Sequence, residues 1–84
     1  MAVVPGGKTA QHLALSEERR KALGGKVKTA RENAGLTHES LAHASGVYFK
    51  HIQRIERGDS NPTLATGYAL ADALGLRLQD LLPD

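Results

Sequence analysis

The chain has 84 residues, of which 40% are hydrophobic and 24% charged, with a formal net charge of +2 and no cysteine. That length supports one small domain and excludes a two-domain enzyme, and without cysteine neither a disulfide framework nor a thiolate metal site can form. No apolar run approaches membrane-spanning length, and the stretch from Met1 to Gly7 is too short and too interrupted for a secretory signal, so no membrane association is expected and the expected location is cytoplasmic.

Residues 1–15 carry Pro5 and Gly6-Gly7 and lack helical periodicity, which reads as a flexible N-terminal arm; residues 16–84 read as one domain. Gly7-Lys8-Thr9 has the ending of a phosphate-binding loop. That reading fails, because Ala2 stands where the motif needs glycine and the chain cannot build the parallel sheet it requires. Ser16, followed by Glu17 and Glu18, starts a helix with a capping hydroxyl and two carboxylates near the positive end of the dipole. Leu23, Val27, Ala30 and Ala34 then repeat at helical spacing until Gly35 ends the run. Gly24 and Gly25 lie inside it and cost about 1 kcal/mol each relative to alanine, which predicts a bend or break there and leaves room for a separate short helix over 17–23.

The stretch from Thr37 to Gly58, THESLAHASGVYFKHIQRIERG, organises the rest. Leu41, Ala42, Gly46, Val47, Ile52 and Ile55 are spaced as two short helices joined by a tight corner, a helix-turn-helix. Thr37 caps the first helix, which runs from His38 to about Ser45. Ala42 sits where two helix axes cross and must be small, and Gly46 supplies the left-handed backbone of the corner. Val47 and Ile52 have the spacing of a hydrophobic staple around Tyr48 in the cap position. The other face of the second helix carries Phe49, Lys50, Gln53, Arg54 and Arg57. Long donors and a planar amide on one helical face suit the edges and phosphates of a DNA major groove, although a merely solvated face accounts for the same composition.

Beyond Gly58, the segment Asp59-Ser60-Asn61-Pro62 is a turn, and Thr63 caps a further helix whose buried side is read as Leu64, Tyr68, Leu70, Ala71 and Leu74 before Gly75 stops it. Leu76, Leu78, Leu81 and Leu82 make a short last helix ahead of Pro83. These leucines exceed what one short helix buries on so small a body, which points either to an interface or to simple closure of the core. Charge is uneven along the chain: residues 1–58 hold ten Lys and Arg against five carboxylates, and the remainder holds Arg77 against four Asp. A DNA-facing half and a partner-facing half would show such asymmetry. His12, His38, His43 and His51 include no pair with the i, i+4 spacing of a helical zinc site, so neither a metal nor another cofactor is expected. No nucleophile, base and orienting carboxylate assemble into a catalytic site, so the chain is not read as an enzyme.

With its gaps, Leu41 to Thr63 reads LAxxxGVxxxxIxxIERGxxNPT. This resembles the phage-repressor and Cro-like (XRE-type) helix-turn-helix family, and the likeness extends from about Leu23 to Leu82. The resemblance implies an all-α, five-helix, lambda-repressor-like DNA-binding domain. It also implies a buried salt bridge between Arg31 and Glu56 that holds the first helix to the end of the recognition helix, and a phosphate contact from the start of the motif at His38. Gly67 departs from the family pattern, which usually has a large apolar residue there; either the packing is weakened or Tyr68 fills in at a close helix contact. Family members often join two subunits after the fourth helix, so a homodimer is expected on a palindromic operator.

The expected activity is sequence-specific binding of double-stranded DNA by a transcriptional regulator, with a recognition helix over about Phe49 to Arg57. Phe49, Lys50, Gln53 and Arg54 are the base-reading candidates, because Arg bonds guanine bidentately, Gln does so with adenine, and an aromatic ring meets thymine methyls. His38, Tyr48, Arg57 and Asn61 are the backbone candidates. Arg31, Glu56, Ala42 and Gly46 are structural. The same resemblance leaves open an antitoxin that binds a protein toxin as well as its operator, or a controller of restriction–modification genes.

Overall fold

The computed structural model describes residues 14–83, which form four α-helices and a closing 3-10 turn, with no strand among the described residues. The arm expected over 1–15, including His12, lies outside the described residues except for its last two positions.

Helix α1 spans Glu17–Asn33, and Ser16 caps it by accepting the N–H of Arg19 through its hydroxyl. It is one continuous rod. The break expected at Gly24-Gly25, with a separate helix over 17–23, does not occur. Gly24 is buried where α1 crosses the second helix of the motif, and a Cβ there would fall on the carbonyl oxygen of Ile55 and 2.7 Å from that of Glu56. Glycine lets two backbones meet, and the packing so gained offsets its poor helix propensity. Ala34, counted in the apolar repeat, is the exposed C-cap.

Helix α2, His38–Ser45, opens with a capping box: Thr37 Oγ1 accepts the Ser40 N–H at 3.0 Å, and Ser40 Oγ accepts the Thr37 N–H at 2.8 Å. It ends at Gly46 with φ 77°, a left-handed conformation that a side chain would strain. Helix α3, Phe49–Glu56, follows after two residues. Tyr48 occupies its cap position but makes no side-chain capping bond, whereas Val47 packs against the core. Helix α4, Leu64–Leu74, is capped by Thr63, whose hydroxyl accepts the Thr66 N–H at 3.1 Å.

The core joins Leu23 and Val27 of α1, Leu41 of α2, Ile52 and Ile55 of α3, Leu70 and Ala71 of α4, and Leu81. α1 packs chiefly on α3, while α2 bridges α3 and α4. On α4 the inward stripe is Gly67, Leu70, Ala71 and Leu74, at spacings of three, one and three. Leu64 and Tyr68, expected to be buried, sit beside that stripe and are 66% and 52% exposed. Leu78, not Tyr68, closes the gap at Gly67: its Cδ1 would lie 2.9 Å from a Cβ placed there. The expected fifth helix is a single 3-10 turn, Leu78–Asp80, started by Asp80 Oδ2 accepting the Arg77 N–H at 3.0 Å. Too few residues separate Gly75 from Pro83 to repay helix nucleation. Leu81 drops into the core, and Leu76 and Leu82 stay partly in solvent.

Candidate nucleic-acid interface

α3 is the most sharply two-faced of the four helices. Ile52 and Ile55 point into the core, one turn apart. Lys50, Arg54 and Arg57, spaced by four and three, form a solvent-exposed stripe on and just beyond the opposite side, with Phe49 and Gln53 half-buried along its flank. Tyr48 is exposed at the head of the helix, its ring edge-on to Phe49 with centroids 5.1 Å apart. All four residues expected to read bases therefore reach solvent from one rod. Arg57 lies on the same side, and its Nε donates to Asp59 Oδ2 at 3.2 Å.

Besides the buried Ile52 and Ile55, polar contacts hold that rod. Arg31 Nε donates to Glu56 Oε2 at 2.8 Å and Nη2 to Oε1 at 3.1 Å, with both side chains buried, while Nη1 donates to the Leu36 carbonyl at 2.8 Å. His38 Nε2 meets Glu56 Oε1 at 2.9 Å. A carboxylate already paired with a guanidinium only accepts, so the histidine donates from Nε2–H. One carboxylate at the end of α3 thus ties together α1 and the first residue of α2, while Arg31 also holds the loop between them. Burial pushes the Glu56 carboxyl up, but the hydrogen bonds and charges of Arg31 and His38 outweigh it, and its pKa lies below the ordinary 4.5. The hydrogen bond to Glu56 raises the Arg31 guanidinium above its ordinary range against the effect of burial.

The loop after α3 is fastened as firmly. Arg20 donates from Nε to the Gly58 carbonyl at 3.0 Å and from Nη1 to the Leu15 carbonyl at 2.8 Å, and Asn61 Oδ1 accepts the Leu15 N–H at 2.8 Å. His51 is half-buried with Nε2 3.1 Å from the hydroxyl of buried Ser60, and His43 is exposed. Of the backbone candidates, Arg57 and Tyr48 are open to solvent. The His38 ring is turned to Glu56, and the Asn61 carbonyl oxygen is occupied by Leu15. Ala42 is half-buried against the core beneath the corner that Gly46 turns.

Two residues absent from the sequence reading belong to this region. Arg20 staples the loop, and Lys28 joins Arg31, His38, Gln53, Glu56 and Arg57 around an open cavity beside α3. For Arg20 the signal was present in the chain: Arg20, Gly24, Val27 and Arg31 fall at spacings of four, three and four, one helical stripe that carries cations at both ends of an apolar centre, and Lys28 stands off that stripe. Among the described residues no cluster of three or more metal-ligating side chains occurs, and no helix is long and apolar enough to cross a membrane.

A domain of this shape, two short helices at a tight corner with the second presenting a cationic stripe, is a helix-turn-helix module, and the chain belongs to the helix-turn-helix family, whose profile matches residues 27–81. Among curated relatives it is 38% identical over 63 residues to the uncharacterized HTH-type transcriptional regulator y4dJ of Sinorhizobium fredii, covering 75% of this chain and 82% of that one. The fold is similar to the restriction-modification controller protein C.AhdI from Aeromonas hydrophila, with a TM-score of 0.73 and 30% identity across 75% of this chain and 96% of the controller. It is also similar to the clp gene regulator ClgR from Corynebacterium glutamicum, with a TM-score of 0.70 and 31% identity across 74% of this chain and 66% of that one.

Proposed function

We propose that this helix-turn-helix protein, a DNA-binding transcriptional regulator, reads a specific duplex sequence by laying α3 in the major groove. The observation that carries the reading is the outward stripe of α3, with Lys50 and Arg54 exposed and Phe49 and Gln53 flanking them on a rod anchored through Glu56. In this assignment Phe49, Lys50, Gln53 and Arg54 meet base edges. Arg57, the Tyr48 hydroxyl, the remaining amide of Asn61 and the backbone N–H groups at the start of α2 by His38 meet phosphates. The protein acts by binding, not by catalysis, in the cytoplasm.

Two copies would pair through the surface that α4 and the closing turn leave uncovered, where Leu64, Tyr68, Leu76 and Leu82 are exposed. A two-fold pair sets its recognition helices about 34 Å apart and requires a palindromic operator. The likeness to C.AhdI along nearly its whole length favours, as a second reading, control of restriction–modification genes. An antitoxin would instead use the same apolar surface for a protein toxin.

Selection of bound duplexes from a random pool tests the reading. A two-fold consensus is expected. Arg54→Ala should lose about 1–3 kcal/mol on the selected site and relax one base position, while Arg57→Ala should weaken selected and random duplexes alike. Recovery of no consensus, or equal losses on both duplexes for both variants, would remove it.

A further inference from the structure

Behind α4 the core is not filled. A cavity of about 170 Å³ lies between α1, the inner side of α3, α4 and the closing turn, walled by Val27, Ile55, Gly67, Leu70, Leu78 and Leu81. Its mouth is edged by Leu64 and Leu82, both exposed. Interiors at native density hold few voids larger than a water molecule, because every atom lining one lacks dispersion partners on that side. The gap follows from Gly67, which brings no side chain to the inward stripe of α4. Leu78 covers the glycine with its Cδ1 and leaves the remaining space open. Water is a poor occupant of such a space, since a buried water needs about two to four polar partners. Thr63 is the one polar side chain lining the cavity among the described residues, and its hydroxyl already accepts the Thr66 N–H and meets the Thr66 hydroxyl, each at 3.1 Å.

We infer that this cavity binds one uncharged, apolar small molecule, a compact aromatic or branched hydrocarbon group. Size and lining both select that class. A dry cavity of about 150 Å³ lined by Leu, Ile and Phe admits benzene, so the volume here suits a single ring. No cation or carboxylate borders the cavity among the described residues; a charged ligand would enter without a counter-ion, and a strongly hydrogen-bonding atom would be buried unpaired. An occupant touches Ile55, the residue before Glu56, and so lies against the inner side of the helix that carries the cationic stripe. The inference does not depend on the DNA-binding reading. Leu64 and Leu82 belong both to the mouth and to the surface proposed to pair two copies, which makes a side chain of a second copy the competing occupant.

The experiment adds benzene, as the probe, to the full chain. At about ten times its dissociation constant it should raise the melting temperature by about 6–11 °C. The methyl resonances of Val27, Ile55, Leu70 and Leu81 should shift saturably in NMR spectra. Pyridine, a ring of the same size with one acceptor to desolvate, should bind at least about tenfold more weakly. Gly67→Leu should fill the space, displacing only the tip of Leu78, and abolish the response to benzene. Leu78→Ala, which keeps the question open if that variant does not fold, widens the same space and should raise the affinity for p-xylene relative to benzene. Absence of saturable binding to the wild type would overturn the inference, as would shifts that grow linearly and centre on exposed Leu64 and Leu76. So would a full response to benzene in Gly67→Leu, or an unchanged ratio of the two affinities in Leu78→Ala. Binding that weakens with rising protein concentration, while light scattering shows the mass doubling, would give the cavity to a second copy and overturn it too.

Discussion

The two sides of this small domain are held by different forces. Around α3 the apolar contacts of Ile52 and Ile55 are joined by directional polar ones between separate elements: Arg31 and His38 on Glu56, Arg20 on the Gly58 and Leu15 carbonyls, His51 with Ser60. Around α4 and the closing turn they are apolar, made by Leu70, Ala71, Leu78 and Leu81, with Leu64, Tyr68 and Leu82 left in solvent. Hydrophobic contact sets how much surface is buried but tolerates sliding, whereas a bidentate ion pair permits one geometry. A helix proposed to present four side chains in register benefits from the second kind of restraint. A surface that need only be covered by another apolar surface does not.

Breaking the charged side should produce the largest effect. Glu56→Ala leaves the buried Arg31 charge without its carboxylate and should cost about 3–5 kcal/mol in chemical denaturation, and Arg31→Ala, which leaves Glu56 with His38 alone, should cost somewhat less. The same contact should give the fold an acid limb. Glu56 has a folded pKa below its ordinary 4.5, so its contribution is present above that value and is lost as pH falls through the lower folded one. Melting temperature should drop below about pH 4.5 more steeply in the wild type than in Glu56→Gln.

The two glycines of α1 sharpen the comparison at the level of single methyl groups. Gly24→Ala should destabilise by about 1–3 kcal/mol, because the new Cβ pushes α3 away at the point where Glu56 is held. Gly25 meets nothing within 4 Å and lies in a helix interior, so Gly25→Ala should stabilise by about 0.5–1 kcal/mol. Calorimetry on the pair reads both signs directly.

On the apolar side, a single change should barely touch the fold. Leu64→Asp is expected to alter monomer stability by no more than about 0.5 kcal/mol, since the side chain is already exposed. Its effect should fall on association: if this surface joins two copies, sedimentation or light scattering should show the wild type at twice the mass of the variant. Equal masses would dissociate the dimer from this surface.

Most of the local architecture was legible in the chain. The spans of α2 and α3, the caps at Ser16, Thr37 and Thr63, and the corner at Gly46 follow from interactions within four residues, where spacing and side-chain chemistry act directly. The same short-range logic misjudged Gly24-Gly25, because the compensation for two glycines lies on another helix. It also misassigned Leu64 and Tyr68, because periodicity finds an apolar stripe but not which of two adjacent stripes another element will cover. Resemblance suggested the pairing of Arg31 with Glu56; the spacing of the residues did not.

By itself, the sequence determined where α2, α3 and α4 start and stop and which residues can stand on the outer side of α3, since those depend on neighbours along the backbone. Only the tertiary structure decided that His38 turns to Glu56 across 18 residues, that Arg20 reaches Gly58 across 38, and that Asn61 holds Leu15 across 46. Nor could Lys28 and Arg57 be seen as two walls of one cavity from their places in the chain. Such contacts arise when helices pack, and the position where a long polar side chain finds its partner depends on the crossing of axes, which no local pattern encodes.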